Sequence, residues 1–461
     1  MLLSPVVIGS AWRHSLASVC LGIAFIAAIT VSAPAQVTSE PIIIIPGLTG
    51  SELINEKTGE RVWFKTPRSK DDDLRLPISL IPSKEHDNLV AGDIIRSIKF
   101  GPFPRIDFYG GLITSLETKA GYHEESWTAP TANGAQKAIY VFPYDWRRDN
   151  VENARALMKK IAQLKLKLKL PALKFNVIAH SMGGIIARYA AMYGDVDLPI
   201  GNTKPRPTWA GAKIFDKVVL IGTPNEGSVL ALNSMINGFA ITGIHIELPW
   251  FQKVNRFDMF TIPAGYQLLP APGTFHVMDE NLDPLDIDLY DPKQWSRYGW
   301  NTIDDPKFEK NYTAAERKVA PRFFASMLDR AKRLHQALAA SGESAPPVSL
   351  NIVGAECHDS LDSVVVVRDG KSEKWKTLFK PSGFTKENGA KVSSEDMKQV
   401  MYAQGDGVVT GRSLEARTES KQAGVDSILK PSSTKFVCTD HNKMAASTEV
   451  QDYLITLLTG K

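Results

Sequence analysis

The chain has 461 residues, 43% hydrophobic and 23% charged, with a formal net charge of +4 at pH 7. That composition is globular and excludes a disordered or fibrous chain, while a charge so near balance gives no argument for a nucleic-acid partner, and none is expected. At roughly 150 residues per domain, the length admits one large α/β domain with an insertion or several small domains.

Residues 1–35 hold no acidic side chain. Arg13 and His14 come first, then the apolar run Leu16 to Val31, then Ala33-Pro34-Ala35, the order of a secretory signal peptide cut before Gln36. As a membrane anchor the run falls short of the roughly 18 to 20 apolar residues a spanning helix needs. Export is therefore expected, to the outside, a periplasm or a secretory-pathway lumen. Cys20 lies inside the run and would leave with it, so Cys357 and Cys438 remain. In an oxidising compartment two cysteines can join; two buried free thiols are the alternative.

From Pro41 the sequence runs Ile42-Ile43-Ile44-Ile45 into Pro46-Gly47-Leu48-Thr49-Gly50, a buried strand entering a tight turn. Further strands are predicted at Ala138 to Phe142, Lys174 to Ala179, Lys217 to Ile221 and Ser349 to Val353. Helical patterns lie between them at Tyr109 to Lys119, Val151 to Leu170 and Gly184 to Tyr193. Alternation of this kind predicts an α/β fold with a mostly parallel central sheet and helices on both faces. Within Val151 to Leu170, the alternating Lys165 to Leu170 is read as helix, because Leu157, Ile161, Leu164 and Leu168 form one stripe. Two segments break the alternation. Residues 59–107 are rich in Pro and charge, and residues 229–347 form a long aromatic-rich insertion read as a cap with its own packing. The core is then expected in two parts, 36–228 and 348–461.

Ala179-His180-Ser181-Met182-Gly183-Gly184 falls between a predicted strand and a predicted helix. A nucleophilic serine on such a turn needs small residues two positions to either side, because the backbones approach closely there, and Ala179 and Gly183 supply them. This is the nucleophile elbow of the α/β-hydrolase fold, with alanine in place of the usual first glycine. A serine hydroxyl needs a base and a group to orient that base, and in this fold they follow as acid, then histidine. His441, near the C-terminus, is the candidate base. Asp406, in Gly405-Asp406-Gly407, is the candidate acid, and Asp440, adjacent to His441, is its rival. The oxyanion needs two N–H donors, for which the backbones of Met182 and Leu48 are the candidates. In Tyr144-Asp145-Trp146-Arg147, an Asp–Arg pair that stiffens a loop is preferred over a phosphate clamp by Arg147. No cluster of ligand-type residues has metal spacing, so neither metal nor cofactor is expected; His245 and His276 fall within the insertion.

These pieces together resemble the lecithin:cholesterol acyltransferase family. The resemblance is carried by Pro46 to Leu53, Tyr109 to Tyr122 with its Gly-Gly-Leu-Ile start, Phe142 to Arg147, the serine elbow, Gly222-Thr223-Pro224-Asn225-Glu226-Gly227-Ser228, Leu268-Leu269-Pro270, Gly405-Asp406-Gly407, and His441 with Met444. It implies an acyl-enzyme mechanism using Ser181, Asp406 and His441, with Leu48 and Met182 at the oxyanion. It also implies that 59–107 is a membrane-contacting segment in which Trp63 and Phe64 touch lipid, and that 229–347 contains a mobile lid. Burial of Trp63 and Phe64 within the segment is the alternative. No cysteine lies in 59–107, where animal members have a disulfide.

The expected function is a serine-dependent lipid acyl hydrolase or O-acyltransferase, meeting its lipid at a membrane or micelle surface, with no protein partner inferable. The competing readings are an esterase for a non-lipid ester and a binding protein that kept the fold without the reaction.

Overall fold

In the computed structural model, the described residues are 39–65, 73–80, 86–99, 104–201, 203–240, 253–340, 346–369, 374–417 and 428–460. The proposed signal peptide and His245 lie outside them. In chain order the elements that build the centre are β1 (Ile42–Ile45), α1 (Gly110–Ala120), β2 (His123–Glu124), β3 (Ala138–Val141), α2 (Asn150–Leu168), β4 (Phe175–His180), α3 (Met182–Tyr193), β5 (Phe215–Ile221), α4 (Ala314–Ala339), β6 (Ser349–Gly354), β7 (Ser433–Phe436) and α5 (Thr448–Thr459).

The seven strands form one sheet in the order β7-β6-β5-β4-β1-β3-β2, and each neighbouring pair is parallel. Parallel strands need crossovers, which put helices on the faces and leave the central strands dry on both sides. The four isoleucines of β1 are accordingly at most 1% exposed. At about 2 kcal/mol for each fully buried aliphatic side chain, this run is a strong reason for β1 to occupy the middle. Alternation along the strands then divides two cores. Ile43, Ile45, Val177, Ala179, Val218 and Leu220 pack with Leu157 and Ile161 of α2 and with Ile185 and Ile186 of α3. Ile42, Ile44, Ile178, Val219, Ile221 and Val353 pack with Leu112 and Leu116 of α1 and with Val450 and Leu454 of α5.

All five strands and three helices expected from the sequence are present, the ends shifting by one or two residues. The edge strands β2 and β7 were not expected. Both are short, and their burial is partial, so neither writes an apolar run into the sequence. Helix α2 takes in the lysine-leucine stretch as far as Leu168, with Leu157, Ile161 and Leu164 buried and Leu166 facing outward.

Two additions flank the sheet. Ser51–Asn55, Arg61–Trp63 and Leu89–Ile94 form a three-stranded antiparallel sheet. Within it Trp63 and Phe64 point inward, 0% and 8% exposed. The Trp63 ring lies 5.1 Å from that of Trp146 and 5.5 Å from that of Phe64, and its Nε1–H donates to the Thr49 carbonyl at 3.1 Å. This corrects the expectation that the pair touches lipid in favour of its alternative, burial within the segment, where Trp63 packs between Trp146 and Phe64. The insertion 229–347 holds an aromatic cluster in which Phe260 contacts the rings of Phe308, Tyr312, Phe323 and Phe324. Helix α4 closes it, opened by a Thr313 and Glu316 capping box. These aromatics join the larger of the two cores, so this part of the cap shares its interior with the sheet. No helix among the described residues is long and apolar enough to cross a membrane.

Candidate active site

The C-terminal ends of β1, β4, β5 and β6 share one edge of the sheet, where open α/β sheets gather functional loops. Ser181 sits there between β4 and α3 with φ 54° and ψ −125°. A non-glycine residue in this conformation is strained, and here the strain turns the serine out of the strand at once. Its N–H is fixed by the Ile221 carbonyl at 2.7 Å. Two residues on, a Cβ at Gly183 would come within 2.6 Å of the Ile45 and Pro46 carbonyl oxygens, so the helix approaches β1 only because that residue is glycine. Ala179 is fully buried and paired with Ile45, which accommodates its methyl group in the core.

His441 begins a short 3-10 turn, His441–Ala446, and is 5% exposed. Its Nε2 lies 2.9 Å from Ser181 Oγ, and its Nδ1 lies 2.7 Å from Asp406 Oδ2. The remaining oxygen of Asp406, Oδ1, accepts the backbone N–H groups of Val408 at 3.0 Å and Val409 at 2.7 Å. That arrangement can take a proton from the serine and hold the resulting imidazolium against a fully hydrogen-bonded carboxylate. Asp440, the rival acid, instead meets Lys443 Nζ at 2.5 Å and His358 Nε2 at 3.6 Å.

Ser181 and His441 face a cavity of about 60 Å³ that is also lined by Leu48, Ile95, Ile98, Phe108 and Tyr109. Met182 is the first residue of α3, where N–H groups have no partner within the helix. In the opposing loop Gly47 N–H donates to Tyr109 Oη at 2.8 Å, and Gly50 N–H to the Gly47 carbonyl at 3.0 Å. Leu48 N–H takes part in neither bond. Of the two sequence candidates for oxyanion donors, Leu48 lines the serine's cavity and Met182 follows the serine directly at the start of α3.

Tyr109 is a residue that sequence reasoning placed at the start of a helix and of one piece of the family resemblance, with no role of its own. Its hydroxyl lies 2.9 Å from His180 Nδ1, and His180 Nε2 lies 3.1 Å from the His441 carbonyl oxygen. Burial, then the charge His441 can carry, push His180 down to about 3. Burial also raises the Tyr109 hydroxyl above its ordinary value. Neither contact is legible in a linear sequence, since 71 and 261 residues separate the partners.

Cys357 and Cys438 are joined in a disulfide. With His358 they are also the grouping of possible metal ligands found among the described residues, and the disulfide occupies both thiols. Arg147 is fully buried between Asp145 and Asp87, which matches the structural reading of that pair over the clamp.

Among solved structures, the Tle4–Tli4 complex aligns over 92% of this chain and 98% of that one, at 14% identity and a TM-score of 0.53. Bacillus licheniformis lipase BlEst2 in mature form aligns over 93% and 95%, at 12% identity and a TM-score of 0.36. EstA from Clostridium botulinum aligns over 92% and 88%, at 12% identity and a TM-score of 0.34. At 14% identity the first of these is a likeness of fold alone; the parallel seven-stranded sheet, helices on both faces and serine turn after β4 have the arrangement of an α/β-hydrolase fold. No curated protein sequence matches the chain. Residues 127–313 match the family model described as lecithin:cholesterol acyltransferase, and over that stretch the match bears out the resemblance carried by the motifs.

Proposed function

We propose that the protein is a lipid-ester acyl hydrolase or O-acyltransferase that works through an acyl-enzyme on Ser181. The observation that carries this is the unbroken chain of contacts from Ser181 Oγ through His441 to Asp406, on a strained serine turn beside a cavity. His441 Nε2 takes the serine proton as Oγ attacks the ester carbonyl. The oxyanion forms between the Leu48 and Met182 N–H groups, and His441 returns the proton to the departing alcohol. Water or a second alcohol, deprotonated by the same histidine, then releases the acyl group. The lipid half of the reading is supported by the family match over 127–313. Export by the N-terminal segment, and encounter with lipid at a membrane or micelle surface, belong to the same proposal.

The test is incubation of mature protein with phospholipid vesicles, with and without an added lipid alcohol. Fatty acid released, or acylated alcohol formed, is the expected result, and Ser181→Ala should abolish both. Release that survives Ser181→Ala would sink the assignment. Turnover confined to small water-soluble esters would replace lipid with a non-lipid ester.

A further inference from the structure

Tyr109 and His180 join two loops that lie at opposite ends of the chain. The Tyr109 hydroxyl has one proton. Its oxygen accepts Gly47 N–H at 2.8 Å, and its own proton is directed to His180 Nδ1 at 2.9 Å. His180 Nε2 faces the His441 carbonyl oxygen at 3.1 Å, a contact that only a protonated Nε2 can make. One protonation state satisfies the whole set: a neutral imidazole carrying its hydrogen on Nε2. A proton added at Nδ1 would leave the Tyr109 hydroxyl hydrogen with no acceptor in a buried place.

We infer that Tyr109 and His180 are positioning residues, which hold the oxyanion loop at Gly47-Leu48 and the backbone of the base His441 in a single register. This rests on the serine reading given above. Both residues are buried, 4% and 8% exposed, so the bonds are shielded from exchange with water. The Tyr109 bond spends Gly47 N–H and leaves the next one, Leu48 N–H, for the oxyanion. The neutral ring also serves the chemistry. Its centroid lies 5.1 Å from that of His441, and a second cation there would oppose the imidazolium formed at His441 during attack. The titratable groups that bear on the His180 ring are Tyr109, at the start of α1, His441, and Asp406 behind it. Burial and the charge on His441 favour the neutral form; the bond to the His441 carbonyl and, after it, Asp406 oppose them.

The experiment compares Tyr109→Phe, His180→Leu and His180→Gln with wild type and Ser181→Ala on a soluble nitrophenyl ester, measuring kcat, KM and the pH profile. Tyr109→Phe and His180→Leu should lower kcat by about 10- to 100-fold, the scale of a small misplacement of reacting groups. KM should change little, because the lost contacts do not touch substrate. His180→Gln should recover most of kcat, since its amide offers an oxygen to Tyr109 and an N–H to the His441 carbonyl. The acid limb of kcat/KM should not move in His180→Gln, because the bonds of His180 already hold that ring neutral. Unchanged kcat in Tyr109→Phe overturns the inference, as does an acid limb that shifts in His180→Gln. If His180→Leu does not fold, the other two variants carry the test. Turnover that survives Ser181→Ala removes the serine reading itself, a different failure from wild-type turnover that needs Ser181 and ignores Tyr109.

Discussion

The backbone N–H of His441 donates to the carbonyl oxygen of Asp406 at 3.0 Å, while the side chains of the same two residues meet at 2.7 Å. The two residues are thus tied twice, once through the main chain and once through the side-chain atoms that the proposed mechanism uses. The main-chain tie fixes the loop whatever the protonation of the ring.

Asp406→Asn separates the two ties. Val408 and Val409 N–H groups both point at Oδ1, so the asparagine amide would keep its oxygen there and turn its NH₂ toward His441 Nδ1. The imidazole would then carry its hydrogen on Nε2 and could no longer accept the serine proton. A fall in kcat of roughly 10³- to 10⁴-fold is expected. The melting temperature should shift little, since the backbone bond stays. Activity within tenfold of wild type would show that Asp406 is not the orienting acid.

The disulfide ties the same two loops from outside. Cys357 N–H donates to the Gly405 carbonyl at 3.1 Å, one residue before Asp406, and Cys438 lies three residues before His441. The sequence separation of 81 sets a chain-entropy contribution on the order of 4 kcal/mol. Cys357→Ser with Cys438→Ser should lower the denaturant midpoint, and should lower kcat more than KM because the loops it frees carry the proposed acid and base. An unchanged midpoint would show that the loops are held without it.

Much of this site can be read in the linear sequence, and the part that cannot has a common cause. The β1 isoleucines, the elbow and Gly405-Asp406-Gly407 are each written in neighbouring residues, because turn chemistry and strand burial are local. The Tyr109 and His180 contacts are not, since any tyrosine at a helix start looks alike until the fold brings it to a ring 71 residues away. Trp63 and Phe64 show a second cause. A pair of aromatics in a charged segment is equally consistent with a surface and with a core, and only the position of Trp146 decides.

His335 provides a pH prediction away from the candidate active site. It lies buried in α4 with neither ring nitrogen hydrogen-bonded, and desolvation, with a smaller repulsion from the positive charge of Arg188, pushes it down to about 4. A histidine depressed in the folded state stays neutral there while the unfolded chain takes up the proton. Stability is therefore full above the unfolded value near 6.5 and is lost as pH falls from there toward about 4. The loss is on the order of 3 kcal/mol. Denaturation midpoints between pH 7 and 4 should fall in wild type and fall less steeply in His335→Leu. Equal slopes would assign the acid sensitivity to other groups.

Arg147 decides between structure and substrate binding by the number of its donors. Nε donates to Asp145 Oδ1 at 3.0 Å; one terminal nitrogen serves Asp87 Oδ2 at 2.6 Å and the Leu74 carbonyl at 3.3 Å; the other serves Asp87 Oδ1 at 2.9 Å and Asp145 Oδ2 at 2.8 Å. A guanidinium has five N–H donors, and these contacts use all of them, leaving none for a phosphate. Arg147→Met would strand two carboxylates, one of them buried, and should cost about 3–5 kcal/mol of stability. In the protein that remains folded, KM for a phospholipid and for an ester without phosphate should move together. A rise in KM confined to the phospholipid would return Arg147 to the role of a clamp, and with it the lipid head group to the loop after β3.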